Sequence, residues 1–431
     1  MPQPQPMARI AATGHSRQIN GAARNERPLR ILHITPEYPP IIWGGLGTAV
    51  GGLVHASARA GHSVAVLLIG GVLVKGDGHG SYGSPQFQVE QKLDSFDPFV
   101  DQEGVTFFHV APHEAMEAGI RLAREWKPDV LHLHTAWFAP VADAIREQTG
   151  LPLVFTVHSL DRAEYEIGRL PCGWEGQDAM IRSATRVIAL CGDEQDLLSR
   201  YFPSEVQSRV RIVGNGIEDA PAARAAATRV RDDTTAPIIL YTGRFVERKG
   251  IHDLLAAIPL VLERVSGAQF VLVGGYGGGV EIERQWMVDT LRPYRSNVRF
   301  TGWLTPDKVA QWYRAADVLV VPSWYEPFGM VILEGMLYGL PIASTQVGGP
   351  AEILKHEETA LLFPSKDVAG LADCLIRLAA DANLRRTLGR AAGEEVRHTW
   401  LWPQVVTRME SVYRECVPSG TPIANHKEFR Q

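Results

Sequence analysis

Disulfide frameworks, membrane spans and nucleic-acid surfaces each leave marks that this sequence lacks. Cysteine is scarce: Cys172, Cys191, Cys374 and Cys416 stand far apart, without metal-ligand spacing. A reduced, cytoplasmic chain is therefore expected. The most apolar run, Val64 to Val74, is too short to cross a bilayer and is broken by Gly70 and Gly71, so no integral membrane segment is expected. Neither sign of charge dominates: 43 Lys and Arg against 48 Asp and Glu give a net charge of −5. There is no basic stripe of the kind that nucleic acid or an anionic membrane would need. The first 27 residues lack the apolar segment of a secretion signal and read as a disordered arm.

What is present is apolar material enough for two cores, 45% of 431 residues. Short β-branched runs alternate with amphipathic helical stretches, which predicts an α/β fold with parallel sheets. The boundaries read as a first domain over 28–219, a linker over 220–236 and a second domain over 237–399. A terminal helix over 400–416 and a disordered tail over 417–431 follow. In the first domain, Leu29 to Thr35 is a strand, Gly44-Gly45-Leu46-Gly47 a glycine turn, and Thr48 to Ala60 the next helix. Missing β-carbons at such a turn let the backbone approach a ligand or let a helix pack tightly, and both readings stand. Residues 76–101 read as loops with a hairpin strand.

His132 and His134 alternate on a strand over Val130 to His134. His-x-His ligates metals only with a third ligand, and none lies nearby in sequence, so no metal is expected. His158 ends another buried strand and reads as a core histidine or a site residue. Asp161, Glu164 and Glu166 follow, either a solvated face or acids able to bind an amine. In the second domain, Gly243 to Gly250 is a glycine-bounded loop carrying Arg244 and Lys249, whose fork and point charge suit a diphosphate.

Two carboxylates mark the centre of the second domain. Val318 to Pro322 reads as a buried parallel strand, Glu326 lies in the loop beyond it, and Pro327 holds that loop out of helix. A helix restarts near Gly329, placing Glu334 about one turn inside. The amides of Phe328, Gly329 and Met330 then open that helix as a seat for phosphate.

Ser-Trp-Tyr-Glu-Pro-Phe-Gly-Met-Val-Ile-Leu-Glu over Ser323 to Glu334, with Gly339-Leu340-Pro341 and Val347-Gly348-Gly349, resembles the donor-site signature of the retaining glycosyltransferases of family GT4, relatives of the glycogen synthases of GT5. The resemblance runs from about Leu29 to Trp402 and implies a GT-B architecture, two Rossmann-like domains with the active site between them. It implies a nucleotide-sugar donor and a small polar acceptor, with Arg244 and Lys249 on the diphosphate and Glu334 on the ribose. Glu326 would meet the sugar hydroxyls, with His158 and the Gly45, Leu46 and Gly47 turn beside the anomeric carbon, and the backbone at Gly302 would meet the base. No Asp-x-Asp motif occurs, which fits a metal-independent enzyme without a cofactor. Glycogen synthases usually carry lysine two positions before the Gly-Gly; this chain has Ile42. That departure, together with Asp161, Glu164 and Glu166, points to a small carbohydrate-like or aminocyclitol acceptor, with His134 near it, as in antibiotic biosynthesis. The alternatives are a glucan-extending enzyme, a phosphorylase or epimerase of related fold, and a non-catalytic nucleotide-sugar binder.

Overall fold

The computed structural model describes residues 27–39, 41–42, 44–70, 98–166, 174–227, 236–275 and 289–417. Among the described residues, fourteen strands form two sheets. The first contains β1 (Arg30–Thr35), β2 (Ser63–Ile69), β3 (Phe99–Val100), β4 (Thr106–Val110), β5 (Val130–Leu133), β6 (Leu153–Thr156), β7 (Arg186–Ala189) and β8 (Val210–Ile212). Their order is β3-β4-β2-β1-β5-β6-β7-β8, parallel except for the β3–β4 hairpin. The second contains β9 (Ile238–Thr242), β10 (Gln269–Val273), β11 (Val298–Gly302), β12 (Val318–Val321), β13 (Ile342–Thr345) and β14 (Ala360–Phe363). It is all parallel, in the order β11-β10-β9-β12-β13-β14.

The sequence explains the strands directly. β5, β6, β12 and β13 are buried at every position, as strands covered by helices on both faces must be. In each sheet the order reverses beside the first strand, between β1 and β5 and between β9 and β12. At such a reversal the connections leave toward opposite faces and open a crevice beyond the carboxyl ends of the strands. Every site residue expected from sequence lies on or just past these strand ends, or on the helices that follow them.

The terminal helix Trp402–Cys416 crosses back to the first domain. Trp402, Val405, Val406 and Met409 pack with Leu29, Ile31, Leu53, Val130 and Val154 of the first domain. Ile217 and Leu401 form a parallel bridge, so the two crossings of the chain run side by side. Gly214 and Gly216 sit at this crossing for lack of space. A β-carbon at Gly214 would lie 2.5 Å from the Phe328 ring, and one at Gly216 2.7 Å from Trp402.

Two expectations need correction. The stretch 220–236 is not all linker: Pro221–Ala227 is a helix with Ala223 buried in a core cluster of the second domain. An alanine-rich segment with proline at its first position has high helix propensity, and Ala223 gives it a docking point. The first helix begins at Gly45 rather than Thr48, so Gly45, Leu46 and Gly47 form its opening turn. The arm, the tail after residue 417 and most of the expected 76–101 loops lie outside the described residues.

Candidate active site

Glu326 is fixed before any ligand arrives. It is buried, its Oε2 is ion-paired with Lys249 Nζ, and the Ser323 hydroxyl donates to the same oxygen at 3.2 Å. Burial alone would raise the carboxyl, but Lys249 and Arg248 outweigh it and hold Glu326 below the ordinary carboxylate range. Burial also pulls the Lys249 ammonium down, against the attraction of Glu326. The loop is shaped by glycines opposite it. Gly348 has φ +51, and a β-carbon there would lie 2.1 Å from the Glu326 carbonyl oxygen. Gly349 donates its N–H to that oxygen at 3.0 Å, and its own β-carbon would lie 2.1 Å from the Phe328 carbonyl. Gly250, φ +65, allows the Lys249 turn to pass Pro322, whose carbonyl oxygen lies 1.8 Å from where a β-carbon would be. These contacts account physically for the Val-Gly-Gly and Lys-Gly sequences.

Gly329, φ +97, caps the helix Met330–Leu337, placing Glu334 in its second turn. Glu334 Oε2 accepts from Tyr313 Oη at 2.6 Å, and burial raises the carboxyl against that hydrogen bond. Arg244 is exposed beyond β9 and close enough to lower Lys249 further. The Phe328 ring packs edge-on against Trp400, 5.5 Å between centroids, so its side chain holds the loop in place.

Across the crevice, a β-carbon on Gly45 would meet Met330 Cγ at 3.7 Å, so the opening turn of the first helix abuts the opening of the Glu334 helix. Glu37, just past β1, was not singled out in the sequence. Its Oε2 accepts the N–H groups of both Gly44 and Gly47 at 3.1 Å. Gly47 is therefore shaped around Glu37, and a β-carbon there would lie 3.0 Å from that oxygen. Its amide is occupied by Glu37, and Gly45 and Leu46 form the first positions of the helix opening. At Gly302 the carbonyl accepts from the Gly274 N–H at 3.1 Å and the Thr301 hydroxyl at 2.9 Å. Both lone pairs are used, so that carbonyl is not the group that would meet a base.

The first domain contributes His158, past the end of β6. His158 Nε2 lies 3.1 Å from His134 Nδ1, and His134 Nε2 lies 2.9 Å from His33 Nδ1. His134 is buried with both nitrogens engaged, which removes it from the expected acceptor contacts. His33 is the third member that sequence spacing missed, because parallel pairing of β1 with β5 puts His33 directly beside His132. Ring nitrogens of His33, His132 and His134 lie within 4.8 Å of one another. His132 engages Tyr413 Oη and Thr156 Oγ1 through its two nitrogens, each at 2.7 Å. The three rings are part of a hydrogen-bonded cluster.

Glu164 is buried, not on a solvated face. The Ser159 hydroxyl donates to its Oε1, and Arg248 of the second domain approaches the same oxygen at 3.8 Å. Glu166 faces Arg200 at 3.8 Å, and the Asp161 N–H donates to Gln177 Oε1 at 2.9 Å. Glu164 therefore serves domain contact rather than an amine. Tyr325 adds to that contact, its Oη accepting from the Leu160 N–H at 3.0 Å.

Residues 236–381 match the family described as Glycosyl transferases group 1, and residues 44–216 match the Glycosyl transferase 4-like domain. The chain belongs to glycosyltransferase family GT4. A glycogen synthase of Mycobacterium tuberculosis is 29% identical over 89% of this chain and 94% of its own length. A D-inositol 3-phosphate glycosyltransferase of Kribbella flavida is 30% identical over 62% of this chain and 66% of its own. Among solved structures, the sucrose-phosphate synthase of Thermosynechococcus elongatus superposes with a TM-score of 0.70 at 25% identity, covering 90% of this chain and 98% of that one. Anabaena HepE in complex with UDP-glucose shares the fold, with a TM-score of 0.68 at 17% identity over 90% of this chain and 100% of that one. The two parallel sheets of this glycosyltransferase are thus the two domains of a GT-B fold.

Proposed function

We propose that this glycosyltransferase moves glucose or N-acetylglucosamine from a UDP-linked donor to a hydroxyl of a small carbohydrate-like acceptor, with retention at the anomeric carbon and without a metal. The observation that carries the reading is the meeting of the two crevices. The Lys249–Glu326 pair and Arg244 stand on one side, and the Gly45–Leu46 helix opening and His158 on the other.

In this reading Arg244 and Lys249 hold the diphosphate, where negative charge grows as the bond from the anomeric carbon to phosphate oxygen breaks. Cations there stabilise the transition state more than the ground state. Glu334 takes the ribose hydroxyls. Glu326, already ionised, accepts from sugar hydroxyls. The acceptor oxygen bonds to the anomeric carbon from the side that the phosphate leaves, and a departing phosphate oxygen takes the acceptor's proton. No enzymic nucleophile is required. Closure of the two domains excludes water that would otherwise hydrolyse the donor.

The amine-binding form of the acceptor rested on Ile42 and on Asp161, Glu164 and Glu166, and of these acids Glu164 is internally engaged. Glucan extension is the second reading, favoured by the similarity to the M. tuberculosis glycogen synthase over 89% of the chain. Purified protein offered UDP-glucose, UDP-N-acetylglucosamine, ADP-glucose and GDP-mannose, each with inositol phosphate or maltooligosaccharides, separates the readings. The expected result is one preferred UDP-sugar, an α-linked product and no loss of rate in EDTA. A β-linked product or a metal requirement would contradict the mechanism. Transfer to maltooligosaccharides alone would establish the second reading, and donor binding without turnover on any acceptor would favour a binder.

A further inference from the structure

A neutral imidazole donates through one ring nitrogen and accepts through the other. Two imidazole-to-imidazole hydrogen bonds in series therefore pass a single choice along three rings. His33, His134 and His158 form such a series, at 2.9 Å and 3.1 Å. Burial keeps the rings neutral: it lowers His33 to about 3 and His158 to about 4, and it lowers His134 well below its ordinary value. The series ends at His33 Nε2, which is buried and has no hydrogen-bond partner among the described residues.

That end decides the direction. A buried N–H without an acceptor is rarer in folded proteins than a buried lone pair without a donor. His33 Nε2 is therefore the lone-pair nitrogen, and the proton sits on His33 Nδ1, which donates to His134 Nε2. His134 Nδ1 then carries a proton and donates to His158 Nε2. His158 is left with its proton on Nδ1.

We infer that His33 and His134 are positioning residues that hold His158 as the Nδ1–H tautomer, so that it offers a hydrogen-bond donor, not an acceptor, to the donor sugar. The inference rests on the proposed function for the place of His158 at that sugar. The geometry of the series does not depend on it. Neither residue touches substrate; each acts through the next ring.

The test is the tautomer itself. Protein labelled with 15N-histidine, with His158→Gln used for assignment, is read by long-range proton–nitrogen correlation at neutral pH. Nδ1 of His158 should give the pyrrole-type resonance and Nε2 the pyridine-type; the opposite pattern overturns the inference. In His33→Asp, a carboxylate oxygen takes the place of Nδ1 and can only accept, which should reverse the two remaining rings, His134 and His158. His158 should then show the proton on Nε2, and kcat with UDP-glucose should fall about tenfold or more with little change in KM, the worth of one well-placed hydrogen bond to substrate. A folded His33→Asp protein with an unchanged His158 tautomer overturns the coupling. A reversed tautomer with unchanged kcat overturns the donor role. If His33→Asp does not fold, the wild-type reading still decides. If the wild type turns over no sugar nucleotide, the proposed function fails while the tautomer readings stand on their own.

Discussion

At the scale of single residues, burial without water sets the behaviour of the site. Lys249 and Glu326 neutralise each other in a place where neither is well solvated. Removing one partner of such a pair leaves the other charged and unpaired, at a cost of roughly 3–5 kcal/mol, whereas removing both charges costs much less. Lys249→Ala should therefore unfold at markedly lower denaturant than wild type, and adding Glu326→Gln should recover most of the loss, both read by urea denaturation. The four clustered histidines give a pH signature. His33, His132, His134 and His158 all have folded-state values lowered by burial, to about 3 for His33 and about 4 for His158. The unfolded chain takes up protons at these rings near 6.5, before the folded chain does. Their contribution to stability is thus complete above that pH and is lost as pH falls from 6.5 toward the folded values. Each ring contributes a slope of about 1.4 kcal/mol per pH unit. The melting temperature should fall steeply between pH 6.5 and 4.5, and a flat profile would mean that the rings are solvated.

At the scale of elements, the loops past β9, β12 and β13 fit together only because particular β-carbons are missing. Gly348→Ala would set a methyl group 2.1 Å from the Glu326 carbonyl oxygen at a φ of +51. It should displace the Glu326 loop and remove most activity. Gly104→Ala, at φ +82 with open space around it, should cost only about 1 kcal/mol and leave activity intact. Comparing kcat/KM of the two variants checks the claim. The same elements show what the sequence makes legible. Strands such as Val318–Val321 are continuous apolar runs ended by proline or glycine, and the Ser323 to Glu334 motif marks its own loop and helix. Contacts between strands were not legible. His33 is one histidine in an apolar strand until pairing with β5 sets it beside His132, and Glu37 is one acid among prolines until the chain folds back over it. Glu164 looked like part of a charged face because the residue that meets it, Arg248, is on the other domain. The Pro221–Ala227 helix lacks an apolar stripe, and its buried Ala223 and the Arg224–Asp219 ion pair are contacts that only the folded chain reveals.

At the scale of the molecule, the two domains are linked through the parts that form the site. Phe328 packs on Trp400, the Gly348 N–H donates to Asp193 at 2.8 Å, and the Gly192 N–H donates to Glu352 at 2.7 Å. The returning helix Trp402–Cys416 anchors the far end through Tyr413 and His132. Ligand binding at the crevice is thereby tied to the closeness of the domains. The proposed function makes this crevice a sugar-nucleotide site with its diphosphate on Arg244 and Lys249. Calorimetric titration of UDP-glucose into wild type and into Arg244→Ala tests it most directly, because Arg244 is exposed and a melting curve of the variant checks that its fold is intact. Wild type should bind, and Arg244→Ala should bind about 10- to 100-fold more weakly, the worth of a charge-assisted hydrogen bond to phosphate. Equal affinity in the two proteins would place the diphosphate elsewhere and contradict the account.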